Sequence, residues 1–201
     1  MKTKIEKKEI NKKLKKVGVF ELSEIYKKIL FSFFSFPQQA IGLTDLSKMV
    51  KSSKNAVKES LNLLVNESFL NIDQIGNAWR ITANQEHPYF ITRKIPYNLQ
   101  LIYESNIIEY IYKIVPNARA IILFGSYRWG SDNEKSDIDI AVEVLDNEEL
   151  RIINLGIIEE FGIRKNIKVN LHIFSRNKID LNLLANIANG IVLDGFFEVR
   201  L

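Results

Sequence analysis

The stretch AIILFGSYRWGSDNEKSDIDIAVEV, residues 120–144, decides the fold of the C-terminal half of this 201-residue chain. It opens with five apolar residues, 120–124, a length typical of a buried strand. Gly125 and Ser126 follow at once, and a polar loop then leads to a second strand, which we predict over 137–144. The stretch therefore predicts a strand, a tight Gly-Ser turn that opens a helical turn, a loop and another strand.

The second strand begins with two carboxylates, Asp137 and Asp139. Side chains alternate along a strand, so both should lie on one face, about 6.7 Å apart along the strand, while the isoleucines after them face the core. Two neighbouring carboxylates repel each other unless a cation lies between them, and oxygen ligands suit Mg²⁺ or Mn²⁺. Gly125 permits close backbone approach, and the Ser126 hydroxyl with free N–H groups can hold a phosphate. A phosphate site beside a metal site indicates phosphoryl or nucleotidyl transfer.

Other elements of this half follow from periodicity and length. Helices are predicted over 101–114, 147–161 and 179–188, and a third strand is predicted over 167–174.

The order Phe124-Gly125-Ser126, ten residues and Asp137-Ile138-Asp139 resembles the signature of the DNA polymerase β nucleotidyltransferase superfamily, most closely its minimal nucleotidyltransferases. The resemblance covers about residues 100–195. It implies a small α/β domain with a mixed sheet, in which Ser126 contacts the triphosphate of ATP or another NTP. It also implies that Asp137 and Asp139 hold Mg²⁺ or Mn²⁺, and that Arg128 helps with phosphate. Minimal relatives often modify a partner protein, frequently a toxin, and so act as antitoxins.

The resemblance also implies a third carboxylate on the next core strand, and this sequence has Asn170 at that place. An amide can offer an oxygen to a metal, but it has no charge and cannot accept the proton of the nucleophile. Asn170 is therefore a weak candidate metal ligand, and the general base that the resemblance implies is missing from this position. His172 lies two residues further on, on the same strand face, where a packed histidine is the more frequent interpretation.

The N-terminal half has the element order of a winged helix-turn-helix domain, which it resembles over about residues 20–85. The predicted helices are 21–36, 45–50 with Thr44 as N-cap, and 54–66, and the predicted hairpin strands are 69–73 and 78–82. In that family the third helix enters the major groove and the hairpin forms the wing. The resulting DNA-contact candidates are Lys48, Lys54, Lys58 and Arg80. Winged helices also serve as protein–protein modules or dimerisation modules, so a homodimer is a further expectation.

The composition and the distribution of charge indicate how the chain divides into segments. The net charge is +4, and residues 1–100 carry 17 Lys/Arg against 9 Asp/Glu, whereas residues 101–201 carry 11 against 15. Much of the basic excess lies in 1–19, which we interpret as a basic tail, and 86–99, with two prolines, as a linker to a transferase domain over 100–201. The absence of cysteine excludes disulfides and thiolate chemistry, and no apolar run is long enough to cross a bilayer, so we expect a cytoplasmic protein without a membrane partner.

Two functional hypotheses remain open from the sequence. The first is an α+β protein that acts as a metal-dependent nucleotidyltransferase and moves a nucleotide from an NTP to an acceptor hydroxyl. The second is a DNA-binding winged-helix regulator whose transferase-like domain is catalytically impaired and senses a nucleotide or dimerises.

Overall fold

The structure is a computed structural model that describes residues 23–76 and 78–198. The predicted basic tail, 1–19, lies outside the described residues. In chain order the elements are α1 (Glu24–Ser35), α2 (Leu43–Met49), α3 (Lys54–Asn66), β1 (Leu70–Ile75), β2 (Ala78–Ala83), α4 (Phe90–Glu104), α5 (Ile107–Ile114), β3 (Ala120–Phe124), α6 (Gly125–Trp129), β4 (Ile138–Glu143), β5 (Arg151–Phe161), β6 (Arg164–Phe174), a 3₁₀ turn (Arg176–Lys178), α7 (Leu181–Ala188) and β7 (Ile191–Gly195).

Serine caps set the starts of two of the three N-terminal helices. The side chain of Ser23 accepts a hydrogen bond from the third residue of α1, and Ser53 does the same for α3. The bounds predicted for the third helix, 54–66, are confirmed. The prediction of Thr44 as an N-cap is wrong, because Gly42 is the N-cap of α2 and its carbonyl already accepts from Leu46 N.

The hairpin β1–β2 closes the N-terminal core. The two strands pair antiparallel over their whole length, and Ile81 of β2 also bridges to Ile41 before α2. Their bounds agree with the predicted strands to within two residues. The buried residues of this core include Phe33, Phe34, Leu46, Leu61, Leu64 and Ile81. Three helices followed by a hairpin is the order expected from the sequence, and the winged-helix assignment itself stays a prediction.

The segment that we expected to be a linker is helical over most of its length. Helix α4 includes residues 90–99, although Pro96 lies inside it. Its first half packs Phe90 and Tyr97 into the N-terminal core, and Ile102 near its end packs into the core of the large sheet. A proline inside a helix removes one backbone donor, and its ring clashes with a carbonyl of the preceding turn, so the apolar contacts on both sides of α4 must offset this cost.

The helix predicted over 101–114 is interrupted. Helix α4 ends at Glu104, and α5 begins at Ile107 after Asn106, whose φ is +58°. Asparagine tolerates this left-handed conformation better than most residues, so a break at this position agrees with its sequence.

Five strands form one mixed sheet in the order β5-β6-β4-β3-β7. Strands β4 and β6 run parallel, and the other neighbouring pairs run antiparallel. The expectation of a mixed sheet in an α+β protein is confirmed. One face packs against α4 and α5, and the other, which carries Ile122, Phe124 and Phe174, packs against Ile187 of α7.

The helix predicted over 147–161 is wrong. Residues 151–161 form β5, which pairs antiparallel with β6 through a turn at Gly162, where φ is +63°. Four β-branched isoleucines favour the extended conformation, and Gly156 disfavours a helix. The described residues contain no helix that is long and apolar enough to span a membrane.

Candidate functional site

The Gly-Ser turn lies at the end of β3. Phe124 ends the strand, and Gly125 starts the five-residue helix α6 with a φ of +69°. A Cβ atom at Gly125 would lie 2.9 Å from Oδ2 of Asp139, closer than real Cβ contacts. The absence of a side chain therefore lets the Asp139 carboxylate lie directly against the backbone of the turn. Ser126, the next residue, is partly exposed.

The two aspartates lie at the start of β4. Asp139 pairs across the sheet with Phe124, and its side chain is 30% exposed. Asp137 is also partly exposed and precedes the strand, whose first residue is Ile138, so the predicted strand begins one residue too early. Ile138 and Ile140 are fully buried in the sheet core, as the alternation predicted. The carboxylate of Asp139 thus lies on the opposite face of the sheet from these isoleucines.

Asn170 is the register partner of Asp139 on the parallel strand β6. Its Nδ2 donates a hydrogen bond to Oδ1 of Asp139 at 3.2 Å. The side-chain amide therefore holds the carboxylate in place without adding a negative charge beside it.

His172 lies next to the same carboxylate. Its Nε2 is 3.6 Å from Oδ1 of Asp139, beyond the distance of a good hydrogen bond. The ring packs edge-to-face on Phe124, with centroids 4.9 Å apart, and the buried Nδ1 has no hydrogen-bond partner among the described residues. The ring of His172 is thus packed against Phe124 and also lies beside the Asp139 carboxylate.

The donor set fits a divalent cation held by two protein carboxylates. Within residues 23–76 and 78–198, no three His, Asp or Glu side chains come together as a metal-binding group. Mg²⁺ commonly binds one or two carboxylates and completes its shell with substrate phosphates and water. Asp137 and Asp139 can supply such a pair, and turning over the Asn170 amide would offer an oxygen beside them.

Residues 105–194 match the family model described as "Polymerase beta, Nucleotidyltransferase". The match supports the polymerase β-like superfamily for this part of the chain. The matched residues lie within the predicted transferase domain and include β3, the Gly-Ser turn, β4 and β6. No curated protein matches the chain.

Arg128 of the matched region already contacts neighbouring residues. Its Nε donates to the carbonyl oxygen of Asn189 at 2.6 Å, and its guanidinium carbon lies 3.6 Å from the ring centroid of Trp129, which is half exposed. The contact between Arg128 and phosphate stays a prediction.

A buried polar cluster beside the loop between α6 and β4 was not predicted from the sequence. Asp132, in the loop between α6 and β4, is 3.2 Å from Nζ of Lys94 and accepts a hydrogen bond from Asn98, and both partners belong to α4. All three are almost fully buried. Burial raises the pKa of Asp132 and lowers the pKa of Lys94, and each opposes the shift of the other through its charge. Nothing in the local sequence marks Lys94 as different from exposed lysines.

The predicted DNA-contact residues do not all lie together. Lys48 and Lys54 line an open cleft of about 560 Å³ between α2 and α3, together with Lys51, which the sequence interpretation missed. Lys58 lies instead over the ring of Trp79, and Arg80 pairs with Asp73 on the hairpin. The cleft is therefore lined by three lysines from the loop and helix ends around residue 52.

Proposed function

We propose that the chain is a metal-dependent nucleotidyltransferase that moves a nucleotide from an NTP to an acceptor hydroxyl, with a partner protein as the candidate acceptor. The observation that carries this proposal is the close approach of the Asp139 carboxylate to Gly125, in a domain that matches a nucleotidyltransferase family. A carboxylate against a Gly-Ser turn brings cation binding and phosphate binding to one place.

The residues of the site have different proposed roles. The Ser126 hydroxyl and the backbone at the start of α6 bind phosphate oxygens, while Asp137 and Asp139 hold the cation. A bound Mg²⁺ or Mn²⁺ supplies charge neutralisation for the triphosphate. Asn170 keeps the Asp139 carboxylate oriented toward the turn through its amide hydrogen bond.

In the proposed reaction the acceptor oxygen attacks the α-phosphorus of the NTP. The bond between the α-phosphorus and its bridging oxygen breaks, pyrophosphate leaves, and the proton of the acceptor hydroxyl is released. Asn170 cannot take that proton, because a carboxamide is not a base near neutral pH. The chain therefore orients the reacting groups but has no carboxylate at position 170 to accept the proton. Slow transfer is expected for this reason.

Titration calorimetry tests the nucleotide site. Wild-type protein is titrated with ATP, GTP, CTP and UTP in Mg²⁺ and then in Mn²⁺, and the titration is repeated with Asp137→Asn/Asp139→Asn. We expect metal-dependent binding by the wild type that is lost in the double variant, since a neutral amide pair no longer balances the cation.

The control is Asp146→Asn, an exposed aspartate beyond the other end of β4. It should bind as the wild type does. A wild-type chain that binds no nucleotide with either metal would remove the basis of the transferase proposal. A double variant that binds as well as the wild type would show that nucleotide binding does not depend on the two aspartates. Transfer is then assayed with an NTP labelled at the α-phosphate.

The second candidate function is DNA binding by the N-terminal half, with the transferase-like domain as a nucleotide sensor. The cleft with Lys48, Lys51 and Lys54 favours it, because clustered lysines beside a helix N-terminus suit phosphate contacts. The neutral Asn170 supports the sensor interpretation, since binding does not need a general base.

Fluorescence anisotropy with labelled duplex DNA separates this candidate from the first. Lys51→Gln/Lys54→Gln should weaken binding. It should also lower the slope of log affinity against log salt concentration by the equivalent of about two phosphate contacts. Lys113→Gln, an exposed lysine on α5, is the matched control. Binding that is equally strong in the double variant would reject the cleft as the DNA site.

A further inference from the structure

A single arginine reaches across the loop that carries Asp137. Arg164 is the first residue of β6, and it is 5% exposed although it follows the exposed turn of the β5–β6 hairpin. Its Nη2 donates to the carbonyl oxygen of Glu134 at 3.1 Å and to that of Ser136 at 3.0 Å. Ser136 is the residue before Asp137, so the guanidinium holds the backbone directly next to a candidate cation ligand.

The second terminal nitrogen of the guanidinium, Nη1, is also held by neighbouring side chains. Nη1 donates to the hydroxyl of Tyr127 in α6, and it lies 3.9 Å from Oδ2 of Asp132. The aromatic ring of Tyr127 is buried and packs against Phe161 at the other side of the hairpin. One planar fork therefore connects α6, the loop and the hairpin, a geometry that lysine cannot reproduce with one nitrogen.

The loop itself is closed by its own hydrogen bonds. Asn133 N donates to Ser136 Oγ, Lys135 N donates to Asn133 Oδ1, and Ser136 N donates to the carbonyl oxygen of Asn133. These bonds make residues 133–136 a compact turn. Arg164 holds the end of that turn from one side, while Lys94 and Asn98 hold Asp132 at its beginning from the other.

We propose that Arg164 is a positioning residue for Asp137: its fork fixes the turn 133–136 and thereby sets where the Asp137 carboxylate meets the nucleotide and its cation. The expected effect of Arg164 on nucleotide binding rests on the proposed function, whereas its expected effect on the loop does not. Nothing in the family match assigns a role to Arg164, which is neither part of the Gly-Ser turn nor one of the two aspartates.

Hydrogen–deuterium exchange tests the effect on the loop without any nucleotide. The variants are Arg164→Lys, which keeps a positive charge beside Asp132, and Tyr127→Phe, which removes one anchor of the fork. Lys165→Gln, an exposed neighbour on the same strand, is the control. We expect exchange in peptides covering 131–137 to be at least fivefold faster in Arg164→Lys, faster by a smaller factor in Tyr127→Phe, and unchanged in the control. The amides of α3 and of β1–β2 should keep their wild-type exchange.

Wild-type exchange in 131–137 for Arg164→Lys would overturn the proposal. If Arg164→Lys does not fold, Tyr127→Phe decides: faster exchange in that segment supports the proposal, and wild-type exchange overturns it.

The folded variants are then titrated with ATP in Mn²⁺. A dissociation constant raised about tenfold, with the control unchanged, is expected, and an unchanged constant in a variant with a loosened loop would overturn the positioning of Asp137. A wild type that binds no nucleotide overturns the proposed function alone, because the exchange result still decides the effect of Arg164 on the loop.

Discussion

Replacing Gly125 by alanine should weaken nucleotide binding as well as destabilise the fold. Two costs add at this position. The φ of +69° is strained for an L-residue, at about 1–2 kcal/mol. The new Cβ would also lie 2.9 Å from Oδ2 of Asp139, so the carboxylate or the turn must shift by several tenths of an ångström.

The chain supplies a control that separates these costs. Gly76, in the turn of the β1–β2 hairpin, has a φ of +59°, and a Cβ there would meet no heavy atom of the described residues within 4 Å. Gly76→Ala should therefore carry only the backbone cost, about 1–2 kcal/mol of unfolding free energy. Gly125→Ala should carry that cost and also displace Asp139. We expect it to weaken Mn²⁺-dependent ATP binding by about tenfold or more, or about 1.4 kcal/mol.

Urea unfolding and titration calorimetry on both variants check this reasoning. Gly76→Ala should lose stability and keep the wild-type dissociation constant for ATP with Mn²⁺. Gly125→Ala should lose at least as much stability and bind more weakly. If Gly125→Ala binds as tightly as the wild type, the contact between Gly125 and Asp139 is not part of the nucleotide site.

Three further predictions follow from single contacts. Asn170→Asp places a third carboxylate against Asp139, so Mn²⁺ should raise its unfolding temperature more than that of the wild type, and equal shifts would contradict this. The pKa of Tyr26 is raised to about 12 by burial and its Glu67 hydrogen bond, so the folded chain keeps the phenol proton to higher pH than the unfolded chain does. The stability that Tyr26 adds is complete below pH ~10 and should fall by roughly 1 kcal/mol as the pH rises from ~10 towards ~12, measured against Tyr26→Phe; a constant difference refutes it. Lys94→Met removes one partner of a buried ion pair and should cost about 3 kcal/mol or more in urea unfolding, whereas a loss below about 1 kcal/mol would indicate an uncharged pair.

Local signals were sufficient where they agreed with the tertiary environment. The bounds of α3 followed from an amphipathic pattern that begins after two serines, and β3 followed from five consecutive apolar residues that the structure buries. The turn at Gly125 was predictable because a glycine between a buried strand and a polar loop has few alternatives.

The hairpin strand β5 shows where that approach fails. Isoleucine pairs separated by three residues fit one face of a helix and also an edge strand with one partly buried face. The choice depends on β6, which supplies the hydrogen-bond partners from a later segment. Gly162 after Phe161 was the one local sign of a hairpin turn, and it was overlooked.

The buried cluster around Asp132 was beyond sequence reasoning for a different reason. Its members come from α4, from the loop after α6 and from the start of β6, so no local pattern connects them. Two of them, Lys94 and Arg164, belong to residue types that are nearly always exposed, and tertiary packing buries both.

The neighbours of Asp139 bear on the choice between transferase and sensor. A third carboxylate at position 170 would repel Asp139 until a cation arrived, so cation binding and site formation would be tightly coupled. Asn170 instead donates a hydrogen bond to Asp139 and stabilises the same carboxylate position without a cation. Under the proposed function, Asp137 and Asp139 would hold a cation with an NTP, and no carboxylate at position 170 would remove the acceptor proton. Nucleotide binding and nucleotide transfer would then depend on different residues. Asn170→Asp is the substitution that separates them, since it should change transfer more than binding.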